Sequence, residues 1–203
     1  MTKIKLCGLS REEDITVANM LKPDFVGFVF AKKSKRHVSR DKAAILKRNL
    51  DPEILSVGVF VDDAPEIVAG YLEDGLIDIA QLHGNEDNAY IETLRKYTAK
   101  PVIKAFRVRE EKNLSEAEAS SADYVLLDSG AGDGKIFDWS LIREFNRPYF
   151  LAGGLTPDNV AEAIAILKPF AVDVSSGIET DGIKDAAKMK NFVNAVRSVN
   201  ENE

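Results

Sequence analysis

The sequence predicts an α/β protein with the (β/α)8 architecture of a TIM barrel, formed by a single domain over residues 1–203. Eight strand-like stretches alternate with segments of helical patterning, and strict alternation predicts a parallel sheet. The third stretch, residues 54–61, is too apolar for a half-exposed strand, as is typical of parallel strands covered on both faces. Eight units favour a closed barrel. An open doubly wound sheet is the alternative, but such a sheet usually carries a glycine-rich fingerprint after the first strand, and none is present here.

The predicted strands are short apolar runs that end at polar or glycine-containing turns. The first of them ends in Cys7, the single cysteine of the chain. The strands are predicted at residues 3–7, 24–30, 54–61, 77–82, 102–108, 124–128, 149–152 and 170–174.

The intervening segments carry helix start signals. Ser10 is a good N-cap residue with Glu13 three positions later, and Ser39 caps the second helix. Thr156 precedes Pro157, a residue favoured at the first helical position. The helices are predicted at about 11–21, 40–50, 64–74, 86–97, 110–120, 138–146, from 157 onward, and 183–199.

Charge and composition exclude several classes of function. A net charge of −6 and a pI near 5.1 argue against a general binder of nucleic acids or anionic membranes. No apolar run is long enough to span a bilayer, and the N-terminus lacks a signal-peptide core. One cysteine cannot form an internal disulfide, which fits a reducing compartment. We therefore expect a cytoplasmic protein with no nucleic-acid or membrane partner.

Active sites of such barrels lie at the carboxyl ends of the strands, where Cys7 and Asp128 stand. These two residues could face each other across the barrel mouth, which is the geometry needed to move protons around one substrate. A thiol serves as a base only if its pKa of about 8.5 is lowered or its proton transfer is assisted. The simpler interpretations are a small buried hydrophobe for Cys7 and a turn cap for Asp128.

Two glycine-containing loops follow the seventh and eighth strands. Gly153-Gly154 and Ser175-Ser176-Gly177 can expose backbone N–H groups, and the equivalent loops of many barrels bind a phosphate. Glycines that only form tight turns are the alternative. Two such loops on neighbouring strands favour the phosphate site.

Other polar residues at the strand ends carry weaker signals. Arg36 lies in a basic loop, where it could hold a carboxylate bidentately or belong to a solvated charged surface. Gln81 and His83 end the fourth strand, and His83 is favoured as a hydrogen-bonding or turn residue. Histidine, cysteine and carboxylate side chains nowhere show the spacing of a metal site, so no metal is expected.

The alternation of side chains along a strand makes a further prediction about Lys5. Lys5 shares the inward face of the first strand with Cys7, and Asp173 shares the inward face of the eighth with Ser175. The first and eighth strands are neighbours in a closed barrel, so we predict a buried ion pair between Lys5 and Asp173 that could stabilise the Cys7 thiolate. Extension of one side chain to the lower end of the barrel is the alternative.

Six short motifs follow one another along the chain: Lys5-Leu6-Cys7-Gly8, Gln81-Leu82-His83-Gly84, Leu126-Leu127-Asp128, Phe137-Asp138-Trp139, Leu151-Ala152-Gly153-Gly154-Leu155 and Val172-Asp173-Val174-Ser175-Ser176-Gly177-Ile178-Glu179. In order and spacing they resemble the phosphoribosylanthranilate isomerase family of tryptophan biosynthesis, over essentially the whole chain. The resemblance implies a (β/α)8 fold and an Amadori rearrangement that needs no cofactor.

The resemblance also implies roles for individual residues. Cys7 would be the general base and Asp128 the general acid that convert N-(5-phosphoribosyl)anthranilate to 1-(2-carboxyphenylamino)-1-deoxyribulose 5-phosphate. Arg36 would bind the anthranilate carboxylate, and the two glycine-containing loops the phosphate. The substrate-binding set comprises Arg36, Gln81, His83, Gly153, Gly154, Asp173, Ser175, Ser176 and Gly177. The expected partner is one small phosphorylated molecule, and the expected state is a monomer or a homodimer.

Two loops depart from the family pattern. Ser34-Lys35-Arg36 replaces the usual Ser-Pro-Arg, which makes the loop less rigid but keeps the arginine. The segment 130–135 replaces the usual Gly-Gly-Thr-Gly, and its Asp133 adds negative charge near an anionic substrate.

Two other functions are weighed against this one. Another phosphosugar barrel enzyme, such as an epimerase or a lyase, is one alternative, although an epimerase is expected to show a metal set or paired aspartates. A barrel that only binds a phosphometabolite is the second, and the presence of both Cys7 and Asp128 disfavours it.

Overall fold

The computed structural model of the chain describes residues 1–128, 139–142 and 145–201. Eight parallel strands pair in chain order and close into a barrel through the contact between the first and the last strand. This confirms the predicted (β/α)8 fold. The strands are β1 Lys3–Cys7, β2 Phe25–Val29, β3 Leu55–Phe60, β4 Ile79–Leu82, β5 Val102–Arg107, β6 Tyr124–Asp128, β7 Tyr149–Ala152 and β8 Ala171–Val174.

Helices surround the barrel on its outer side. They are α1 Glu12–Leu21, α2 Arg40–Asn49, α3 Pro65–Glu73, α4 Asn88–Leu94, α5 Glu111–Glu118, α6 Val160–Leu167 and α7 Ala186–Glu201. Short 3₁₀ helices occur at Trp139–Ile142 and Ser176–Ile178. Among the residues described, no helix has the length and apolar character that crossing a membrane requires.

The helix starts differ from the predicted ones because other side chains take up the free backbone N–H groups. Asp14 accepts hydrogen bonds from the backbone N–H groups of Ser10 and Arg11, so α1 starts after Arg11 and not after Ser10. The Asn159 side chain accepts a hydrogen bond from the Thr156 N–H. Helix α6 therefore starts after Asn159 rather than at Pro157. The helix predicted at 138–146 is a 3₁₀ helix at Trp139–Ile142, and residues 138, 143 and 144 lie outside the described part.

A small hairpin replaces the predicted start of the last helix. Its strands are β9 Glu179–Thr180 and β10 Ile183–Lys184, which pair antiparallel. The two residues between them, Asp181 and Gly182, have φ angles of 53° and 77°. Positive φ at both central residues is the type I′ hairpin geometry that an Asp-Gly pair favours. The Asp-Gly pair was therefore an available sequence signal for the hairpin.

Two apolar layers hold the barrel together. The larger one fills the space between the strands and the helices. The smaller one fills the lower barrel interior with Phe25, Val57, Ile79, Ile103, Ala105, Leu126, Phe150, Ala152 and Ala171. Above it, toward the carboxyl ends of the strands, Cys7 packs with Val29 and Val59. The single cysteine thus lies above the apolar interior, near the carboxyl ends of the strands.

Candidate active site

A cavity of about 630 Å³ opens among the loops at the carboxyl ends of the strands. Its volume lies within the range of about 300–1,000 Å³ that is usual for small-molecule sites. Ten of the eleven predicted site residues line it: Cys7, Arg36, Gln81, His83, Asp128, Gly153, Gly154, Asp173, Ser175 and Ser176. Gly177 is the exception, and it lies behind the lining, against the backbone of Leu155 and Thr156.

The Cys7 thiol projects into the barrel because it ends the inward-facing row of β1. Gly27 is its register partner on β2, and a Cβ atom added to Gly27 would lie 2.7 Å from Cys7 Sγ. That distance is too short for a real contact, so the sulfur occupies the space that a side chain on β2 would need. A glycine within a strand often marks such a close approach, and this signal for the thiol site was present in the sequence.

Lys5 and Asp173 lie one step below the rim and form the predicted ion pair. Lys5 Nζ donates to Asp173 Oδ1 at 2.9 Å, and the two residues are direct register partners on β1 and β8. Lys5 is fully buried, and Asp173 is 8% exposed. The first part of the prediction is confirmed, and the alternative of a side chain that extends to the lower end of the barrel is wrong.

The Cys7 thiol experiences opposing influences from its surroundings. Burial raises the pKa of Cys7 above its ordinary value, and the Asp173 carboxylate acts in the same direction. The Lys5 ammonium opposes them and lowers the pKa of Cys7, by its charge and by a hydrogen bond. Burial lowers the pKa of Lys5, but Asp173 and Cys7 outweigh it and raise that pKa overall. Lys5 therefore remains a cation next to a thiol that is costly to ionise.

Three side chains at the ends of β4 and β6 form a chain of polar contacts. Gln81 Nε2 lies 3.0 Å from His83 Nδ1, and His83 Nε2 lies 3.5 Å from Asp128 Oδ2. If the Gln81 amide donates to Nδ1, the imidazole carries its proton on Nε2, on the side that faces Asp128. The other amide atom, Gln81 Oε1, is buried and has no hydrogen-bond partner within the described part of the chain.

Arg36 stands at the cavity wall, held by a carboxylate that sequence reasoning did not single out. Arg36 Nε and Nη2 donate to the two oxygens of Glu179 at 2.6 and 2.7 Å. Lys184 Nζ also donates to Glu179 Oε1, at 2.6 Å. Glu179 and Lys184 face each other across the β9–β10 hairpin, whose Asp-Gly turn was the available signal for this arrangement.

The loops after β7 and β8 meet on one side of the cavity. Gly153 and Gly154 have φ angles of 93° and 66°, and both line the cavity together with Ser175 and Ser176. Lys184 Nζ donates to the Ser175 carbonyl at 2.8 Å and reaches its hydroxyl at 3.3 Å. The two predicted phosphate loops are thus brought together, with a buried ammonium behind one of them.

Several lining residues lie outside the predicted set. Val29, Val59 and Val61 form an apolar wall, and Arg107 and Arg109 line the side formed by β5. Val29 and Val59 pack with Cys7 and come two residues after the inward-facing Gly27 and Val57, so alternation alone could place them on the inner face. Within the ranges 1–128, 139–142 and 145–201, no group of three or more His, Cys, Asp or Glu residues could hold a metal ion.

Comparison with known proteins assigns the chain to a family. A family model described as N-(5′-phosphoribosyl)anthranilate (PRA) isomerase matches residues 4–195. A protein from Endomicrobium trichonymphae named N-(5′-phosphoribosyl)anthranilate isomerase is 47% identical over 204 residues, which cover 98% of this chain and all of that protein. The chain belongs to the N-(5′-phosphoribosyl)anthranilate isomerase family.

Solved structures of phosphoribosylanthranilate isomerases agree with the assignment. The isomerase from Thermotoga maritima aligns with a TM-score of 0.87 and 37% identity, over 98% of this chain and 100% of that one. A second isomerase structure, in complex with reduced 1-(o-carboxyphenylamino)-1-deoxyribulose 5-phosphate, aligns with a TM-score of 0.85 and 36% identity over the same shares of the two chains. The atypical loop at 130–135 lies outside the described residues.

The contact between Gly27 and Cys7 predicts that Gly27→Ala destabilises the barrel. The added methyl group meets both the sulfur and the backbone of Cys7, and overpacking of this kind costs about 1–3 kcal/mol. Urea denaturation measures the loss in the free energy of unfolding. Gly70→Ala on α3 is the matched control, because no atom lies within 4 Å of its added Cβ. Helix propensity predicts a gain of about 0.5–1 kcal/mol for that control. Equal effects in the two variants would show that the thiol is not tightly packed.

The position of Lys5 predicts that Lys5→Met raises the pKa of Cys7. The substitution removes the cation that favours the thiolate and leaves Asp173, which disfavours it. The pH dependence of alkylation by iodoacetamide should shift to higher pH, and the single cysteine makes this readout unambiguous. Lys104→Met is the matched control, because Lys104 is also buried but pairs with Glu86 at 3.0 Å on the outer side of the strands. An unchanged titration in Lys5→Met would make Lys5 a purely structural residue.

Proposed function

We propose that this chain converts N-(5-phosphoribosyl)anthranilate to 1-(2-carboxyphenylamino)-1-deoxyribulose 5-phosphate with Cys7 as the general base and Asp128 as the general acid. The isomerase function in tryptophan biosynthesis follows from family membership. The observation that supports the two roles is that the thiol and the carboxylate line the same cavity from β1 and β6, three places apart around the barrel. A substrate between them can receive a proton on one side and lose one on the other.

The reaction needs two proton transfers at different atoms of the sugar. Asp128 donates a proton to the ring oxygen of the ribosylamine, and the ring opens to an imine. Cys7 then removes the proton from carbon 2, which gives an enolamine that tautomerises to the ketone. The His83 N–H that faces Asp128 would stabilise the carboxylate left after the first transfer.

The ionisation of Cys7 is the difficult step in this scheme. Burial disfavours a free thiolate, whereas Lys5 favours it from below. Cys7 must lose its own proton before it can accept the proton from carbon 2, and the thiolate that results would lie against the Lys5 ammonium, which Asp173 holds in place. Assistance of this kind allows a thiol with a raised pKa to act as the base.

The remaining lining residues suit the other parts of the substrate. The apolar wall of Val29, Val59 and Val61 fits the aromatic ring, and Arg36 beside it fits the ring carboxylate. The backbone N–H groups near Gly154 and Ser176 fit the phosphate.

The cellular location, the binding partners and the oligomeric state stay predictions. We expect a cytoplasmic enzyme with one small phosphorylated substrate and no nucleic-acid or membrane partner. We expect a monomer or a homodimer, and the Thermotoga maritima isomerase is described as dimeric.

The assigned roles predict that Cys7→Ala and Asp128→Asn each lose most turnover while they remain folded. Each substitution removes one proton-transfer group, and such a group typically contributes about 10²–10⁴-fold to the rate. The decrease of anthranilate-type fluorescence during substrate conversion measures kcat, and circular dichroism checks the fold. Asp41→Asn, an exposed carboxylate on α2, is the control and should keep the wild-type rate. Near-normal turnover in either active-site variant would refute the role given to that residue.

The placement of Arg36 predicts that Arg36→Ala mainly raises KM. The carboxylate that Arg36 binds is remote from the reacting carbon, so its interaction is similar in the ground state and in the transition state. We expect KM to rise roughly tenfold or more, because that factor corresponds to the binding free energy of one charge-assisted hydrogen bond. We expect kcat to stay nearly unchanged. Arg40→Ala, an arginine on α2 that pairs with Asp74, is the control. A fall in kcat at constant KM would contradict this placement.

A further inference from the structure

We propose that Glu179 is a positioning residue that aims the free edge of the Arg36 guanidinium at the substrate carboxylate, and that Lys184 holds Glu179 for this purpose. The inference rests on the proposed function, because it concerns the carboxylate end of that substrate. Neither residue belongs to the described lining of the cavity, and each lies behind a residue that does.

The hydrogen-bond pattern of Arg36 leaves one edge of its guanidinium available. A guanidinium carries five N–H groups in a planar fork. Nε and Nη2 each donate to one oxygen of Glu179, which uses the side-on edge of the fork. No other described residue accepts from the Arg36 guanidinium, so both N–H groups of Nη1 and the second one of Nη2 remain. One N–H of Nη1 and the remaining N–H of Nη2 form the end-on edge, which can bind a second carboxylate bidentately.

The burial of the three residues indicates which side of the cluster faces the ligand. The Arg36 side chain is 32% exposed, whereas those of Glu179 and Lys184 are 7% and 3% exposed. Glu179 is therefore out of contact with solvent and Arg36 is partly open. A buried carboxylate with two cationic partners fixes the plane of the guanidinium, and a long arginine side chain does not hold such a plane by itself.

The charges of the cluster favour an anionic ligand. Arg36 and Lys184 supply two positive charges and Glu179 supplies one negative charge, so the cluster has an excess of one positive charge. Burial raises the pKa of Glu179, but the hydrogen bonds from Arg36 and Lys184 outweigh burial and hold that pKa below its ordinary value. Glu179 therefore stays ionised at neutral pH and continues to hold the arginine.

Lys184 connects Glu179 to the loop after β8. Its ammonium donates to Glu179 on one side and to the Ser175 carbonyl on the other, at 2.6 and 2.8 Å. Lys188 Nζ also donates to the Glu179 carbonyl at 2.7 Å, which anchors the hairpin to α7. The hairpin thus fixes the position of the guanidinium relative to the loop at Ser175.

The experiment compares Glu179→Gln with the wild type for two ligands. One ligand is the reduced product analogue, which carries the aryl carboxylate, and the other is the same analogue without that carboxylate. Titration calorimetry measures both dissociation constants, and steady-state kinetics measures kcat and KM. We expect Glu179→Gln to weaken binding of the carboxylate-bearing analogue roughly tenfold and to raise KM by a similar factor. Binding of the other analogue and kcat should stay nearly unchanged.

Two further variants separate positioning from general destabilisation. Glu179→Asp keeps the charge on a shorter side chain and should restore part of the affinity, and it also serves if Glu179→Gln does not fold. In an Arg36→Ala background, Glu179→Gln should have almost no additional effect on KM, because both changes act through the same guanidinium. Asp74→Asn is the matched control, because it removes the carboxylate partner of an arginine on α2, outside the cavity lining.

The opposite results would overturn the inference. Equal weakening of both analogues by Glu179→Gln, or an additive effect in the Arg36→Ala background, would show that Glu179 only supports the fold. A wild-type protein that binds the analogues but shows no turnover would instead refute the proposed function, while the comparison of the two analogues would still test Glu179.

Discussion

Lys5 and Asp173 meet inside the barrel at the seam where β1 closes on β8, directly below the Cys7 thiol. Removal of one partner from a buried pair of this kind typically costs about 3–5 kcal/mol, because the other charge is left without compensation. The pair therefore constrains the seam and the site together. It keeps an ammonium beneath a sulfur whose ionisation burial opposes.

Hydrogen bonds on the buried side also position the polar groups at the rim of the cavity. Glu179 satisfies one edge of Arg36 and leaves the other edge open, while Lys184 ties that carboxylate to the loop at Ser175. Gln81 contacts one nitrogen of His83 and leaves the other nitrogen, Nε2, facing Asp128 at the cavity. In each case the protein completes the hydrogen bonds on the buried side and leaves donors or acceptors on the ligand side. Such an arrangement reduces the reorganisation that binding requires.

Sequence reasoning was most successful where the signal was periodic. Alternation along β1 and β8, together with the closure of the barrel, was sufficient to predict that Lys5 and Asp173 pair. Reasoning from local signals was less successful. The N-cap was expected at Ser10, but the Asp14 carboxylate accepts hydrogen bonds from two backbone N–H groups and α1 starts later. Residues 183–184 were predicted to begin the last helix, although they form the second strand of the hairpin after the Asp181-Gly182 turn.

The sequence by itself determined the strand order, the inward rows of side chains and the carboxyl-end position of Cys7 and Asp128, because these depend on a period of two and on chain order. The tertiary structure alone decided which charges meet across loops. Arg36 and Glu179 are 143 positions apart and lie on irregular segments, so no periodicity relates them. The folded barrel brings the loop after β2 and the hairpin after β8 to the same rim. Burial there makes an unpaired carboxylate costly, so Glu179 pairs with Arg36.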